Sequence, residues 1–121
     1  MVTLVTGAAG FVGSNIVKAL AGNGHQVVCF DLSPPDDLVK RYLQPWTDQV
    51  HFVQGDILNL RDLEKVAENH HITQIVHAAV YTGVSPDIEK ELSRSIVDVN
   101  VLGTVNLLDL AMGLSLQRFL Y

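Results

Sequence analysis

Short apolar runs alternate along the chain with longer segments in which apolar residues recur every three or four positions. Such runs are typical of buried strands, and the longer spacing is typical of amphipathic helices. The pattern predicts strands at Val2–Thr6, Gln26–Phe30, Val50–Gln54 and Gln74–His77, and a fifth from Gln117. Between them it predicts helices at 11–21, up to about 43, at 60–69 and at 87–112. Strands and helices that alternate in this way predict a parallel sheet with helices on both faces.

The first strand runs into a glycine-rich turn that opens a helix. Gly7, Gly10 and Gly13 are spaced three residues apart, and the helical pattern begins at Phe11. Glycines let a ligand approach the backbone, and the N–H groups and dipole of a helix N-terminus attract a phosphate or pyrophosphate. No lysine completes a GxxxxGK[ST] loop, which argues against nucleotide hydrolysis by that route, and Ala9 takes the second glycine position of GxGxxG.

Asp31 ends the second strand, about 20 positions after the glycine turn, where a dinucleotide-binding fold places an acidic residue. A carboxylate there accepts hydrogen bonds from the ribose hydroxyls and repels a 2′-phosphate. No arginine or lysine lies between Asp31 and Lys40. These features favour NAD over NADP. The alternative is that Asp31 is only a turn residue before the segment Ser33-Pro34-Pro35.

Composition limits the class of protein. The 121 residues, 48% of them hydrophobic, predict one globular domain over 1–121. A net charge of −5 argues against binding nucleic acid or anionic membranes. Cys29 is the single cysteine, which suits a reducing cytoplasm. We find no signal peptide and no apolar run of membrane-spanning length, and expect a cytoplasmic protein without a membrane partner. Four histidines lack the spacing of metal ligands relative to acidic residues or the cysteine, namely His25, His51, His70 and His71. No metal site is therefore expected.

The long helix over 87–112 carries two apolar stripes. The first comprises Ile88, Leu92, Ile96, Val99, Gly103, Leu107 and Leu110. The second, hereafter the outer stripe, comprises Val97, Val101, Val105, Leu108 and Met112. A helix that is apolar on two sides is buried on two sides, and the sheet covers only one of them. We therefore expect homo-oligomerisation through this helix.

Three further motifs follow at later strand ends and on the long helix: Gly55-Asp56-Ile57, His77-Ala78-Ala79 and the segment Asn100–Asn106. Together with the glycine turn and Asp31, they make the sequence resemble the extended short-chain dehydrogenase/reductase family, in particular its NAD-dependent epimerase/dehydratase branch. The resemblance runs from Val2 to Tyr121. It implies a Rossmann-type doubly wound parallel sheet of about five strands, ending in or just after strand five, and NAD as the cofactor.

The resemblance also implies a role for each matching position. The glycine turn, with the backbone of Phe11 and Val12, would hold the pyrophosphate. Asp31, with Leu32 and Ser33, would hold the adenosine ribose. Asp56 and Ile57 would flank adenine, the residues after His77 would border the nicotinamide side, and Asn100 would support the site beneath it. Taken alone, Asp56 could be a turn acid and Asn100 a support for buried backbone. The expected cofactor-binding residues are Gly7, Gly10, Phe11, Val12, Gly13, Asp31, Leu32, Ser33, Asp56, Ile57, Ala78, Ala79, Val80 and Asn100.

The chemistry of the family uses a tyrosine and a lysine four residues apart, and this chain contains no such pair. Tyr42 is followed by Trp46 and Tyr81 by Ser85 at that spacing, so no catalytic residue is assigned. We expect the NAD-binding portion of a longer oxidoreductase, inactive alone, whose parent acts on a nucleotide sugar or related hydroxyl compound. The alternatives are a non-catalytic dinucleotide-binding sensor and a folded fragment without retained function.

Overall fold

The computed structural model describes residues 1–83 and 85–121. Five strands form one sheet, all parallel, in the order β3-β2-β1-β4-β5. Their bounds are β1 Val2–Thr6, β2 Gln26–Asp31, β3 Val50–Gln54, β4 Gln74–His77 and β5 Arg118–Leu120. The expected Rossmann-type parallel sheet is therefore confirmed. The chain runs from β1 outward through β2 to β3 and then crosses back to β4 on the other side of β1. The strand order therefore reverses between β1 and β4, and such a fold binds ligands in the crevice at that point.

Some of the helices begin at a residue whose side chain caps them. The Asp36 carboxylate accepts a hydrogen bond from the Val39 N–H at 2.8 Å, and the Asn59 side chain accepts one from the Arg61 N–H at 3.1 Å. Such caps satisfy N–H groups that have no partner within the helix. The helices are α1 Phe11–Gly22, α2 Asp37–Leu43, α3 Leu60–Asn69, α4 Pro86–Glu91, α5 Ser93–Val97 and α6 Gly103–Met112, with a 3₁₀ turn at Gln44–Trp46.

Two hydrophobic clusters cover the two faces of the sheet, because side chains along a strand alternate between faces. Leu4 on β1 belongs to the cluster formed with α3 and α6, and the adjacent Val5 belongs to the cluster formed with α1 and α2. Cys29 lies in the second cluster, and burial raises the pKa of its thiol to about 12. Cys29 is thus a small buried side chain, as expected, and helices on both faces make the sheet doubly wound.

The prediction of one continuous helix over 87–112 is wrong. Leu92 leaves helical geometry with φ −100° and ψ 12°, which separates α4 from α5. Between α5 and α6, residues Asp98–Leu102 form a π-helical turn in which the Gly103 N–H donates to the Asp98 carbonyl, five residues earlier. Turns of this kind inside helices are frequent at functional sites.

The outer stripe is exposed, at 44–79% for its five side chains, whereas Gly103, Leu107 and Leu110 on the other side are buried. The segment Ser93–Met112 is long and apolar enough, by length and composition, to cross a membrane, with a mean hydropathy of 1.4 over its most apolar window. The expectation that no apolar run is long enough to span a membrane is therefore wrong for this segment. Small and polar residues interrupt its apolar run, but its mean hydropathy stays high. One such helix is weak evidence for a membrane span.

Candidate functional site

A cavity of about 1330 Å³ opens at the carboxyl edge of the sheet, in the crevice between β1 and β4. Every residue expected to bind a cofactor lines it, except Asn100. Asp31, Asp56 and Ala78 lie 25 and 22 positions apart along the chain, and they meet there because parallel strands end at the same edge. The sequence analysis missed several further lining residues on the long helical segment and beside β5: Ser95, Val99, Leu120 and Tyr121.

The glycine turn owes its shape to two close approaches. Gly7 has φ +66°, and a Cβ there would lie 2.8 Å from the Cα of Ala79 on the loop after β4. A Cβ on Gly13 would lie 2.0 Å from the Gly7 carbonyl oxygen. Distances below 3.0 Å require the backbone to move. Glycine at both positions therefore lets α1 start directly against the ends of β1 and β4.

The N-terminus of α1 is left open toward the cavity. Gly10 is the N-cap residue and supplies no side-chain hydrogen bond, and the first turn contains no acidic residue. The N–H groups at the start of a helix then remain available to a ligand, and the helix dipole favours a negative charge at this end. Phe11 is 88% exposed and Val12 61%, so nothing on the described chain covers this turn. The geometry suits a phosphate or pyrophosphate.

Asp31 lies beside the same turn. Its Oδ2 accepts a hydrogen bond from the Ala9 N–H at 2.9 Å, and its Oδ1 accepts one from the Ser33 N–H at 3.3 Å. The two bonds hold the carboxylate between the glycine turn and the loop after β2. The carboxylate is only partly buried, so it retains lone pairs for hydroxyl donors.

The loop after β3 places a second carboxylate and an apolar side chain at the cavity. Asp56 Oδ1 accepts from the Leu58 N–H at 2.9 Å, and the Asp56 N–H donates to Asp62 Oδ2 at 3.1 Å. Since only one carboxylate oxygen of Asp56 has a partner among these bonds, the other is available to an amino group. Ile57 is mostly buried, at 7% exposure, and presents only an edge to the cavity.

Two residues of α6 fix Ile57, and sequence reasoning gave neither of them a role at the site. The Asn106 side-chain amide donates to the Ile57 carbonyl at 2.9 Å. A Cβ on Gly103 would lie 2.4 Å from Ile57 Cδ1, so glycine makes room for this side chain. The spacing of Gly103 on the inward stripe was the available signal, but it did not identify the contact.

The loop after β4 forms the opposite wall. Ala78 and Ala79 pack against Gly7, and Val80 is exposed at the cavity. Asn100 does not reach the cavity, because both polar atoms of its side chain bind the backbone of Tyr81. Its Oδ1 accepts from the Tyr81 N–H and its Nδ2 donates to the Tyr81 carbonyl, each at 2.8 Å. Asn100 therefore supports the loop after β4, which carries Val80 at the cavity.

The charges around the cavity are acidic. Asp31, Asp36 and Asp56 line it, and no lysine or arginine does among the residues that the structure describes. Within the same residues, no three side chains of His, Cys, Asp or Glu cluster as metal ligands. The donors that line the cavity for an anion are therefore backbone N–H groups and uncharged side chains such as Ser33 and Ser95, while the carboxylates accept from hydroxyl or amino donors. This combination suits a nucleotide that carries a diphosphate and free ribose hydroxyls.

Comparison with known proteins gives the same picture. The model of the NAD dependent epimerase/dehydratase family matches residues 3–121. Human short-chain dehydrogenase/reductase family 42E member 1 is 34% identical over 119 residues, which cover 98% of this chain and 28% of that protein. The Mycobacterium tuberculosis 3 beta-hydroxysteroid dehydrogenase/Delta 5-->4-isomerase is 35% identical over 120 residues, or 98% of this chain and 30% of that protein.

A solved structure shares the fold as well as the sequence pattern. The UDP-glucose-4-epimerase of Stenotrophomonas maltophila, with bound NAD and formylated UDP-arabinopyranose, has a TM-score of 0.83 and 29% identity. The match covers 98% of this chain and 35% of that one. The chain thus spans about a third of the length of the proteins it matches.

Proposed function

Since the chain belongs to the NAD-dependent epimerase/dehydratase family, we propose that it binds NAD at the carboxyl edge of its sheet, as the cofactor-binding portion of an oxidoreductase. One observation carries the proposal: the Asp31 carboxylate lies hydrogen-bonded to Ala9 of the glycine turn, beside the uncapped N-terminus of α1. An anion site and an acceptor for ribose hydroxyls are thereby adjacent, as the adenosine half of a dinucleotide requires.

Each part of the cofactor has a wall of matching chemistry. The N–H groups of Phe11 and Val12 receive the pyrophosphate, and Asp31 with Leu32 and Ser33 surrounds the adenosine ribose. Asp56 accepts from the adenine amino group while Ile57 offers an apolar edge. The small residues Ala78 and Ala79, followed by Val80, border the nicotinamide side.

NAD supplies an acceptor for the hydride that leaves a substrate hydroxyl carbon. The residues of this chain bind and orient the cofactor, and none of them stands in the tyrosine–lysine spacing that the family uses for proton transfer. We therefore propose no turnover by these 121 residues alone. For the oxidoreductase as a whole, we propose a nucleotide sugar or related hydroxyl compound as substrate, since the relatives above are named for a sugar nucleotide and for a hydroxysteroid.

Thermal unfolding of the chain with NAD and, separately, NADP tests the proposal. A ligand that binds only the folded state adds about 2.7 kcal/mol at 100 times its dissociation constant, which raises the midpoint by several degrees. We expect stabilisation by NAD and much less by NADP. No shift with either nucleotide would contradict the proposal.

A non-catalytic dinucleotide sensor remains the second candidate, favoured by the missing tyrosine–lysine pair. A sensor changes its association state between NAD and NADH, whereas a cofactor-binding portion binds both without such a change. Sedimentation with each form of the cofactor separates the two.

The outer stripe supports a further part of the proposal, namely that two copies associate through it. Five apolar side chains spaced along α5, the π turn and α6 remain exposed on one continuous face. Isolated soluble chains rarely expose a contiguous apolar face of this kind. We propose a second copy of this chain as the partner, and sedimentation at micromolar concentration as the test.

A further inference from the structure

His77, the last residue of β4, joins three elements around the cavity through buried hydrogen bonds. It is 5% exposed. Its Nδ1 lies 2.6 Å from the hydroxyl of Thr6 at the end of β1, and its Nε2 lies 3.0 Å from the hydroxyl of Thr104 on α6. The ring of Tyr121 stacks over the imidazole at a centroid distance of 5.5 Å.

The partners of the two hydroxyls determine where the protons lie. Thr104 Oγ1 is 2.7 Å from the Asn100 carbonyl, which can only accept, so the Thr104 hydroxyl donates there. It can then only accept from His77, which places a hydrogen on Nε2. Thr6 Oγ1 accepts from the Ala79 N–H at 3.2 Å and keeps its own hydrogen for His77 Nδ1. The structure thus assigns the neutral Nε2–H tautomer to His77.

These hydrogen bonds form a series in which donation runs in one direction throughout. It runs from the Ala79 N–H through the Thr6 hydroxyl to His77, and from His77 through the Thr104 hydroxyl to the Asn100 carbonyl. Asn100 lies in the π turn, where the helical bonding pattern changes. The Thr104 hydroxyl provides that turn with a donor from the following helix.

The same asparagine holds the backbone of Tyr81 through both of its side-chain atoms. A shift of the π turn therefore displaces the Asn100 side chain and, with it, the loop after β4. That loop carries Val80 at the cavity, on the side away from Asp31 and Asp56. His77 and Thr104 are linked in this way to the nicotinamide end of the site, and not to its adenine end.

The geometry points to His77, in its Nε2–H form, and Thr104 as positioning residues that set the affinity for the nicotinamide half of the cofactor. This inference rests on the proposed NAD site and adds to it. It identifies a hydrogen-bonded support that aligns Asn100 with Tyr81. ADP, which lacks the nicotinamide riboside, serves as the probe of the remaining contacts.

The test compares Thr104→Val with Thr104→Ser by titrating NAD and ADP into the chain. Valine has the shape of threonine without the hydroxyl, and serine keeps the hydroxyl. We expect Thr104→Val to weaken NAD binding on the order of fivefold while ADP binding changes by less than about twofold, since the hydrogen bonds of the hydroxyl to Asn100 and from His77 are both lost at one end of the site. Thr104→Ser should restore the affinity for NAD.

Equal weakening of NAD and ADP, unchanged NAD binding, or failure of serine to restore it would overturn the inference while leaving the proposed function standing. Binding of neither nucleotide by the unmodified chain would overturn both. Nitrogen NMR of the His77 ring in the unmodified chain gives a readout that needs no ligand. A hydrogen on Nε2 and a free Nδ1 are expected, and an Nδ1–H or doubly protonated ring at neutral pH would contradict the assignment.

Discussion

The carboxylate of Asp31 is hydrogen-bonded to the backbone N–H of Ala9 at 2.9 Å, although 22 positions separate the two residues. The bond joins the end of β2 to the glycine turn and leaves the carboxylate no freedom to withdraw from a ligand at that turn. A phosphate on the 2′-oxygen of the ribose would therefore face a fixed negative charge. From this relationship we predict a preference for NAD over NADP.

Asp31→Asn should weaken the preference for NAD over NADP. The asparagine oxygen can still accept from Ala9, but the negative charge is gone, so NADP is no longer repelled. We expect the ratio of NADP affinity to NAD affinity to rise about tenfold or more, measured by titration calorimetry. Asp36→Asn is the matched control, because it removes a charge at the same cavity and keeps an acceptable cap for α2. An equal rise in the control would show that overall charge, and not Asp31, discriminates.

Gly103→Ala should destabilise the chain through its contact with Ile57. The new methyl group would meet a side chain packed in the core, and overpacking of this kind costs about 1–3 kcal/mol of unfolding free energy. Chemical denaturation measures the loss. Combining Gly103→Ala with Ile57→Val should recover part of it, because valine lacks the Cδ1 atom that lies nearest.

Gly113→Ala is the control for this series, since a Cβ there meets only ordinary contacts, the nearest at 3.5 Å. We expect it to change the unfolding free energy by less than about 0.5 kcal/mol. If Gly103→Ala costs no more than Gly113→Ala, the contact with Ile57 is not the source of the loss.

Stability should decrease on acidification. Burial lowers the pKa of His77 below its ordinary value of 6.5, and burial together with the nearby His51 lowers that of His70. Below pH 6.5 the unfolded chain therefore binds more protons at these two histidines than the folded chain does. The unfolding free energy falls as the pH drops through 6.5 toward the folded-state pKa values. Above that range the contribution of these two groups is fully present.

Denaturation at a series of pH values measures this slope. The groups against the His77 ring are the Thr6 and Thr104 hydroxyls and the Tyr121 ring, and burial alone accounts for the lowered pKa. His77→Gln should reduce the slope and leave the part due to His70. An unchanged slope in His77→Gln would mean that other groups dominate.

Val101→Glu should separate the two copies that we propose to meet on the outer stripe. Val101 is central in that stripe and 57% exposed, and a carboxylate buried against an apolar face has no partner there. We expect a dimer for the unmodified chain and a monomer for Val101→Glu in sedimentation at micromolar concentration. Leu38→Glu is the control, because Leu38 is also an exposed apolar side chain but lies on α2. A monomeric unmodified chain that pellets with lipid vesicles would favour a membrane as the partner of this face.

The positions of the strands follow closely from the sequence, because the first four are short apolar runs that each end at a polar residue. The interruption of the long helix does not, since its apolar positions continue at helical spacing through Leu92 and the π turn. Only the hydrogen bonds from the Thr104 hydroxyl to the Asn100 carbonyl and from the Asn100 amide to the Tyr81 carbonyl reveal what the distortion accomplishes.

The lining of the cavity could be predicted where it follows strand ends, as at Asp31 and Ala79. It could not where it depends on contacts between distant elements. Asn106 and Ile57 are 49 positions apart, and neither residue type nor spacing indicates that one holds the carbonyl of the other. Likewise, nothing in the sequence around Ser95 indicates that this residue of α5 lines the cavity.

The burial of Cys29 has a practical consequence. Since its pKa is about 12 and it lies at the centre of the sheet, almost no thiolate exists at neutral pH while the chain is folded. A thiol reagent therefore reports opening of the central strands rather than surface chemistry. A cysteine introduced elsewhere on the surface can be labelled selectively without removing the native one.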